Sequence, residues 1–291
     1  MTPLRVVLDS NVFSETSFAA LESSPAKELV RRGRLIFICG DVFLDEVLGA
    51  YESSRRLDLL KRWLPFVTNS DALLCEELAT IWHQELVQGL GLNSPIFMRR
   101  AKRTYMLERF LAAEPDGTWD VAALTADRRG VIKRGRMEER KRLLALRGEV
   151  ARSVKYERQE WPDQLRSPSF DTFRSSYLGP AGRRFIENGI KSRNPRAIAN
   201  RWVRSPTFYP YFTQFITNQL YFKWHSIWKQ DQAIDPNGRQ DLDIMTHLLR
   251  ADMIVSNEEK FLQTAFDQLW RKKGKVLLSS RQFVELLPKL M

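Results

Sequence analysis

The chain has 291 residues, of which 43% are hydrophobic, and this is enough apolar material to build a full core. Its 46 Lys and Arg outnumber 35 Asp and Glu, and the formal net charge of +11 makes a nucleic acid the first partner to consider. A merely basic globular protein fits the charge equally well. Two cysteines exclude a disulfide framework, and three well-separated histidines show no zinc-ligand spacing.

The start of the sequence does not resemble a signal peptide. The first apolar stretch is too short for a signal peptide and runs directly into Asp9. No run of about 18 apolar residues occurs anywhere, so no membrane span is expected. The sequence therefore predicts a soluble, cytoplasmic protein.

The predicted elements begin with alternating strands and helices. A strand is predicted over 5–8, and Asp9 follows it directly. A helix is expected over about 24–32, a second buried strand over 35–39, and a further helix over 40–51. Strands that are apolar throughout are typical of a parallel sheet covered on both faces. This order favours an α/β fold.

The same alternation returns near the other end of the chain. The predicted elements there are a helix over 240–250, a strand over 253–255, a helix over 261–270, a strand over 275–278 and a helix over 281–287. A turn at 235–238 precedes them. The two ends of the chain therefore predict one α/β domain assembled from 1–68 and 234–291.

The middle of the chain, 69–233, has a different character. It is rich in helix formers, arginine and aromatic residues and poor in β-branched runs. A basic helix is predicted over 129–147 and an aromatic-rich helix over 212–228. We therefore expect a large, mainly helical, basic insertion in the α/β domain.

Acidic residues stand near the ends of the predicted strands, where open parallel sheets bind ligands. Asp9 ends the first strand, and Glu46 lies on the helix after the second. Asp241 and Asp243 begin the helix before the third strand, and Glu258 follows that strand. Most of these acids have a structural interpretation, as first-turn acids that suit the helix dipole or as solvent-facing residues. Asp9 fits this structural interpretation less well, because burying the charge of an acid at the end of a buried strand costs free energy unless another group pairs with it.

The order of these acids resembles the PIN domain family of nucleases. Residues 7–13 (VLDSNVF) are similar to that family's first motif, a strand ending in Asp with Asn behind it. Residues 45–48 (DEVL) resemble the second acidic position. Residues 241–244 (DLDI) and 250–258 (RADMIVSNE) resemble the third and fourth motifs. The family's fourth acid is usually Asp, whereas this chain has Glu258, whose extra methylene moves the carboxylate.

The resemblance implies an α/β/α sandwich with a central parallel sheet and a metal site made of carboxylates. Asp9 and Asp241 would be the central ligands of this site, and Glu46 and Glu258 would complete it. Asp243 is the alternative candidate for the ligand position assigned to Asp241. Hard carboxylate oxygens without clustered Cys or His favour Mg²⁺ or Mn²⁺. Small polar residues would orient the ligands or contact phosphate, namely Ser10, Asn11, Ser256 and Asn257.

Basic side chains of the insertion offer a way to hold a nucleic acid backbone. The candidates are Arg100, Arg103, Lys133, Arg134 and Arg136. A basic helix is also commonly a solvated face, and the aromatic residues of the insertion also fit a helical core. The net charge favours binding.

The function that the resemblance implies is metal-dependent hydrolysis of RNA phosphodiesters, with RNA favoured over DNA. One alternative is a structure-specific DNA nuclease. Another is a catalytically weak PIN-like module that binds RNA or protein, which Glu258 keeps open. A homo-oligomer or an inhibitory protein partner is compatible with each of these readings.

Overall fold

A computed structural model of the chain describes residues 2–40, 62, 73–104, 121–156, 160, 167–229, 232–235 and 237–291. Apart from Gly40, the helix predicted over 40–51 lies outside the described residues. The candidate Glu46 on that helix also lies outside them. The two ends of the chain, which carry the other candidate acids, are described nearly in full.

A five-stranded, all-parallel sheet is the framework of the fold. Its strands are β1 (Leu4–Leu8), β2 (Leu35–Cys39), β3 (Leu73–Leu74), β4 (Met253–Val255) and β5 (Val276–Leu278). Their order across the sheet is β3-β2-β1-β4-β5. The prediction of an α/β fold with a parallel sheet is confirmed, and the arrangement is compatible with an α/β/α sandwich.

Helices connect the strands and fill the middle of the chain. The described helices are α1 (Glu15–Glu22), α2 (Ala26–Arg31), α3 (Leu78–Leu86), α4 (Val121–Tyr156), α5 (Phe170–Gly189), α6 (Pro195–Arg204), α7 (Pro210–Trp228), α8 (Gly238–Thr246), α9 (Phe261–Leu269) and α10 (Ser280–Leu286). Side-chain oxygens of Ser169, Asn194 and Ser279 cap α5, α6 and α10. None of the described helices has both the length and the apolar composition needed to cross a lipid bilayer.

The chain forms two compact units. Unit 1 contains Met1–Leu78, Pro95–Gly130 and Asp243–Met291, and unit 2 contains Ala79–Ser94 and Val131–Leu242. The predicted α/β domain ended at residue 68, whereas β3 pairs with β2 through residues 73–74. A strand of two residues has no periodicity to detect, which is why the sequence placed it in the insertion.

The core of unit 1 is built from apolar side chains of the strands and of the helices that cover them. Val6, Phe37 and Val255 from three neighbouring strands are almost fully buried, and Phe283 of α10 packs into the same cluster. Because these strands are buried, their apolar sequences need no alternation.

The centre of unit 2 is α7, a helix with buried residues on every face. Glu85 of α3 accepts hydrogen bonds from the backbone N–H groups of Tyr211 and Phe212 in its first turn, at 3.0 and 2.8 Å. Arg147 of α4 donates to the carbonyl of Ser226 near its other end, at 2.6 Å. A negative side chain thus holds the positive end of the helix dipole, and a positive one holds the negative end.

Candidate functional site

The central strand β1 sits where the order of the sheet reverses. The chain passes from β1 to β2 on one side, whereas β4, on the other side, comes from the far end of the sequence. In open parallel sheets such a switch point leaves a crevice at the carboxyl ends of the two strands. Leu8 pairs with Val255 at those ends, so the next residues, Asp9 and Ser256, come side by side.

Asp9 is buried, with 5% of its surface exposed. Its backbone N–H donates to the carbonyl of Val255 at 3.0 Å, which continues the pairing of β1 with β4. Its Oδ2 accepts from the Ser256 hydroxyl at 2.6 Å and from the Asn11 amide at 2.7 Å. Burial raises the pKa of Asp9, and hydrogen bonds from Ser256, Ser10 and Asn11 only partly oppose it.

Ser256 links the ends of the two strands. Its hydroxyl donates to Asp9 and accepts from the Asn11 amide at 3.1 Å and from the backbone N–H of Glu258, also at 3.1 Å. The oxygen is therefore engaged as donor and as acceptor at once. These bonds fix both the Asp9 carboxyl and the loop that carries Glu258.

Asn257 extends the network to two further elements. Its backbone N–H donates to Asn11 Oδ1 at 3.1 Å, and its side-chain amide donates to the Ser17 hydroxyl of α1 at 3.0 Å. Its Oδ1 accepts from the backbone N–H of Ser280, just beyond β5, at 2.9 Å. The sequence identified Asn11, Ser256 and Asn257, but it gave no signal for Ser17, which is an ordinary helix residue in its local pattern.

Asp235 and Asp241 of unit 2 form, among the described part of the chain, a group of acidic residues that could contribute ligands to a metal ion. These two residues bring carboxylate oxygens within 4.8 Å of each other. Glu258 lies in unit 1, in the loop held by Ser256. Asp241 and Glu258 were predicted from the sequence. From the sequence, Asp235 was interpreted only as part of a turn.

The two acids of α8 are not equivalent. Asp241 is buried and Asp243 is half-buried. Residues two apart on an α-helix point about 200° apart, so only one of them can face a given ligand. Asp241, which the motif spacing favours, is also the one that belongs to the acidic group.

The predicted basic residues differ in their exposure and in their contacts. Arg100 is exposed and Arg103 half-buried in unit 1. Arg134 is exposed on α4, whereas Arg136 on the same helix donates to the side chain of Asn237 at 2.9 Å. The side chain of Lys133 lies outside the described part of the chain.

The donor set suits a hard divalent cation. The candidate ligands are carboxylates, and Asn and Ser side chains hold Asp9 in place. The groups that stabilise ionised Asp9 are neutral hydrogen-bond donors, so a bound cation would supply the positive charge that favours its ionised form. No protein-family model, curated protein or solved structure matches the chain.

Proposed function

We propose that the protein is a Mg²⁺- or Mn²⁺-dependent ribonuclease with a PIN-like α/β/α domain and a large helical insertion. The observation that carries the proposal is the buried carboxyl of Asp9 at the switch point of the sheet, held by Ser256 and Asn11. The resemblance of residues 7–13 and 250–258 to PIN motifs supports the same conclusion.

The placement of Asp9 is hard to explain by stability alone. A neutral Asn at this position could accept the same two hydrogen bonds without the cost of a buried charge. An acid with a raised pKa at a ligand-binding crevice is the pattern of a functional group. Asp9 is therefore best explained as a ligand for a cation.

In the proposed reaction a phosphodiester of RNA is hydrolysed without a protein nucleophile. A Mg²⁺ or Mn²⁺ ion held there would supply an activated water and would offset the charge that develops on the phosphate. Asp9, Asp241 and Glu258 would hold the cation, and Glu46 would complete the set of ligands. Ser256 and Asn11 fix the rotamer of Asp9, so the carboxylate need not be ordered when substrate binds.

The direct test is cleavage of fluorescein-labelled single-stranded RNA with Mn²⁺ or with EDTA. We expect cleavage by the wild type with Mn²⁺ only, and a loss on the order of 100-fold or more in Asp9→Asn. Asp267→Asn is the matched control, because Asp267 is an exposed acid of α9 that pairs with Arg271. The control should cleave like the wild type.

Each outcome of this experiment selects one function. Faster cleavage of a DNA of the same sequence would favour a structure-specific DNA nuclease. RNA that is bound but not cleaved would favour a PIN-like binding module. RNA cleavage that persists in EDTA and in Asp9→Asn would refute the metal site.

A further inference from the structure

The positive charge of the chain is concentrated in one of the two units. Unit 2 has 22 Lys and Arg against 12 Asp and Glu, which gives it a net charge of +10. Unit 1 has 24 against 23, a net charge of +1, and the two values together account for the +11 of the chain. The attraction for polyanions therefore belongs almost entirely to unit 2.

The long helix α4 has a distinct inner and outer side. Leu143 is buried, and Arg136 and Arg147 donate hydrogen bonds to other parts of unit 2, so these residues mark the inner side. At 3.6 residues per turn, Arg134, Lys141 and Arg152 fall within about 20° of one another on the opposite side. All three are exposed. We call these three residues the outward basic face of α4.

Among the residues that the structure describes, the three cations of the outward basic face form no ion pair, and Arg152 donates a hydrogen bond to the carbonyl of Gly148 at 3.3 Å. Some exposed arginines of unit 1 do pair with acids three or four residues away, as Arg31 does with Glu28 and Arg281 with Glu285. Glu138 stands four residues after Arg134 and three before Lys141, yet among the described residues neither forms an ion pair with it. Nearby, Met137 and Leu144 leave 65% and 48% of their surface exposed.

The spacing of the face fits an extended polyphosphate. At a rise of 1.5 Å per residue, Arg134 and Arg152 lie about 27 Å apart along the helix axis, a length that spans several nucleotides. Unpaired cations in such a line release counterions when they meet phosphates. The exposed Met137 and Leu144 add apolar contact for sugars and bases beside that line.

We infer that the outward basic face of α4 binds the phosphate backbone of single-stranded RNA without selecting its sequence. The choice of RNA as the polyanion rests on the proposed function, whereas the binding of a phosphate backbone rests on unit 2 alone. Arg136, which the sequence grouped with Arg134, has a structural role in holding Asn237 and is not part of this surface.

The test measures binding without cleavage. Fluorescence anisotropy of labelled single-stranded RNA in EDTA, over a series of salt concentrations, would compare the wild type with the triple variant Arg134→Gln, Lys141→Gln, Arg152→Gln. Three lost phosphate contacts should reduce the slope of log K against log salt by about 2 and weaken binding by about tenfold or more. The far-UV circular dichroism spectrum should not change, because all three side chains are exposed.

The control variant removes the same charge elsewhere. Arg31→Gln, Arg271→Gln, Arg281→Gln changes three exposed arginines of unit 1 that are ion-paired. Its binding should stay close to that of the wild type. Equal losses in both triple variants, or an unchanged salt slope in the first, would overturn the inference. Displacement of RNA by polyglutamate as effectively as by polyphosphate would also overturn it, in favour of an acidic protein partner.

This test and that of the proposed function can fail separately. Asp9→Asn in unit 1 should lose cleavage and keep the salt-dependent binding. The α4 variant should lose binding whether or not the protein cleaves RNA. If the protein binds RNA through α4 but shows no metal-dependent cleavage, the inferred binding surface is supported and the proposed nuclease function is rejected.

Discussion

At the scale of single residues, Gly40 and His247 pack so closely that position 40 has no room for a side chain larger than a hydrogen atom. Gly40 directly follows β2, and a Cβ built on it would lie 2.2 Å from Nε2 of His247. His247 is fully buried in the 3₁₀ turn after α8. A side chain at position 40 would therefore require the imidazole or the strand end to move.

We expect Gly40→Ala to destabilise the protein by about 1–3 kcal/mol, the usual cost of overpacking a close contact. Urea unfolding followed by circular dichroism would measure it. The double variant Gly40→Ala, His247→Ala should be more stable than the sum of the single effects predicts, because the methyl group then fills space that the ring vacates. Additive effects would contradict the contact.

The burial of His247 also gives stability a dependence on pH. Burial lowers the pKa of His247 to about 4, below its ordinary value of 6.5. Between these values the unfolded chain binds a proton that the folded chain does not. The stabilising effect of a neutral His247 is thus complete above pH 6.5 and is lost as the pH falls towards 4.

We expect this residue to remove on the order of 3 kcal/mol of stability between about pH 7 and pH 4. Unfolding experiments at several pH values would compare the wild type with His247→Gln, which cannot titrate, and the difference between the two should shrink with acid. His83→Gln changes an exposed histidine and is the control. Parallel curves for wild type and His247→Gln would contradict the prediction.

At the scale of elements, α7 depends on two charged side chains from other helices. The carboxylate of Glu85 is buried against the first turn of α7, and the guanidinium of Arg147 binds carbonyls at its end. The backbone donors at the start of a helix have no partners within it. Glu85 therefore satisfies two of them in a place that water does not reach.

We expect Glu85→Ala to destabilise the protein by about 2–4 kcal/mol, because it leaves two buried N–H groups without their acceptor. Glu85→Gln keeps one acceptor oxygen but no charge at the helix N-terminus, and should fall between the wild type and Glu85→Ala. Guanidinium unfolding would rank the three proteins. A loss below about 1 kcal/mol for Glu85→Ala would show that α7 does not depend on this cap.

The sequence predicted elements well where their pattern is local. Four of the five strands were predicted because each is a continuous apolar run. Asp9, Asn11 and Ser256, which follow two of these strands, were singled out for the same local reason, and they form one hydrogen-bonded network. The capping of α7 by Glu85 was missed, since the bond joins residues 126 positions apart. Asp235 was missed because a turn explains it fully by local rules.

At the scale of the whole molecule, a divalent cation should add stability only if it binds the folded state. Mn²⁺ at 100 times its dissociation constant would stabilise the wild type by about 2.7 kcal/mol. We expect an increase in melting temperature with Mn²⁺ that EDTA reverses, and a smaller increase in Asp9→Asn and Asp241→Asn. Differential scanning fluorimetry would measure it. Equal shifts in all three proteins would place the cation elsewhere.

The position of β1 in the middle of the sheet has a consequence while the protein is being synthesised on the ribosome. Arg5 and Asp252, which join β1 to the start of β4, are 247 residues apart. At about 5–20 residues per second, a ribosome needs roughly 12–50 s to make the chain between them. Throughout that time the edge of β1 that pairs with β4 lacks its native partner, and an unpaired edge of an apolar strand is prone to aggregation.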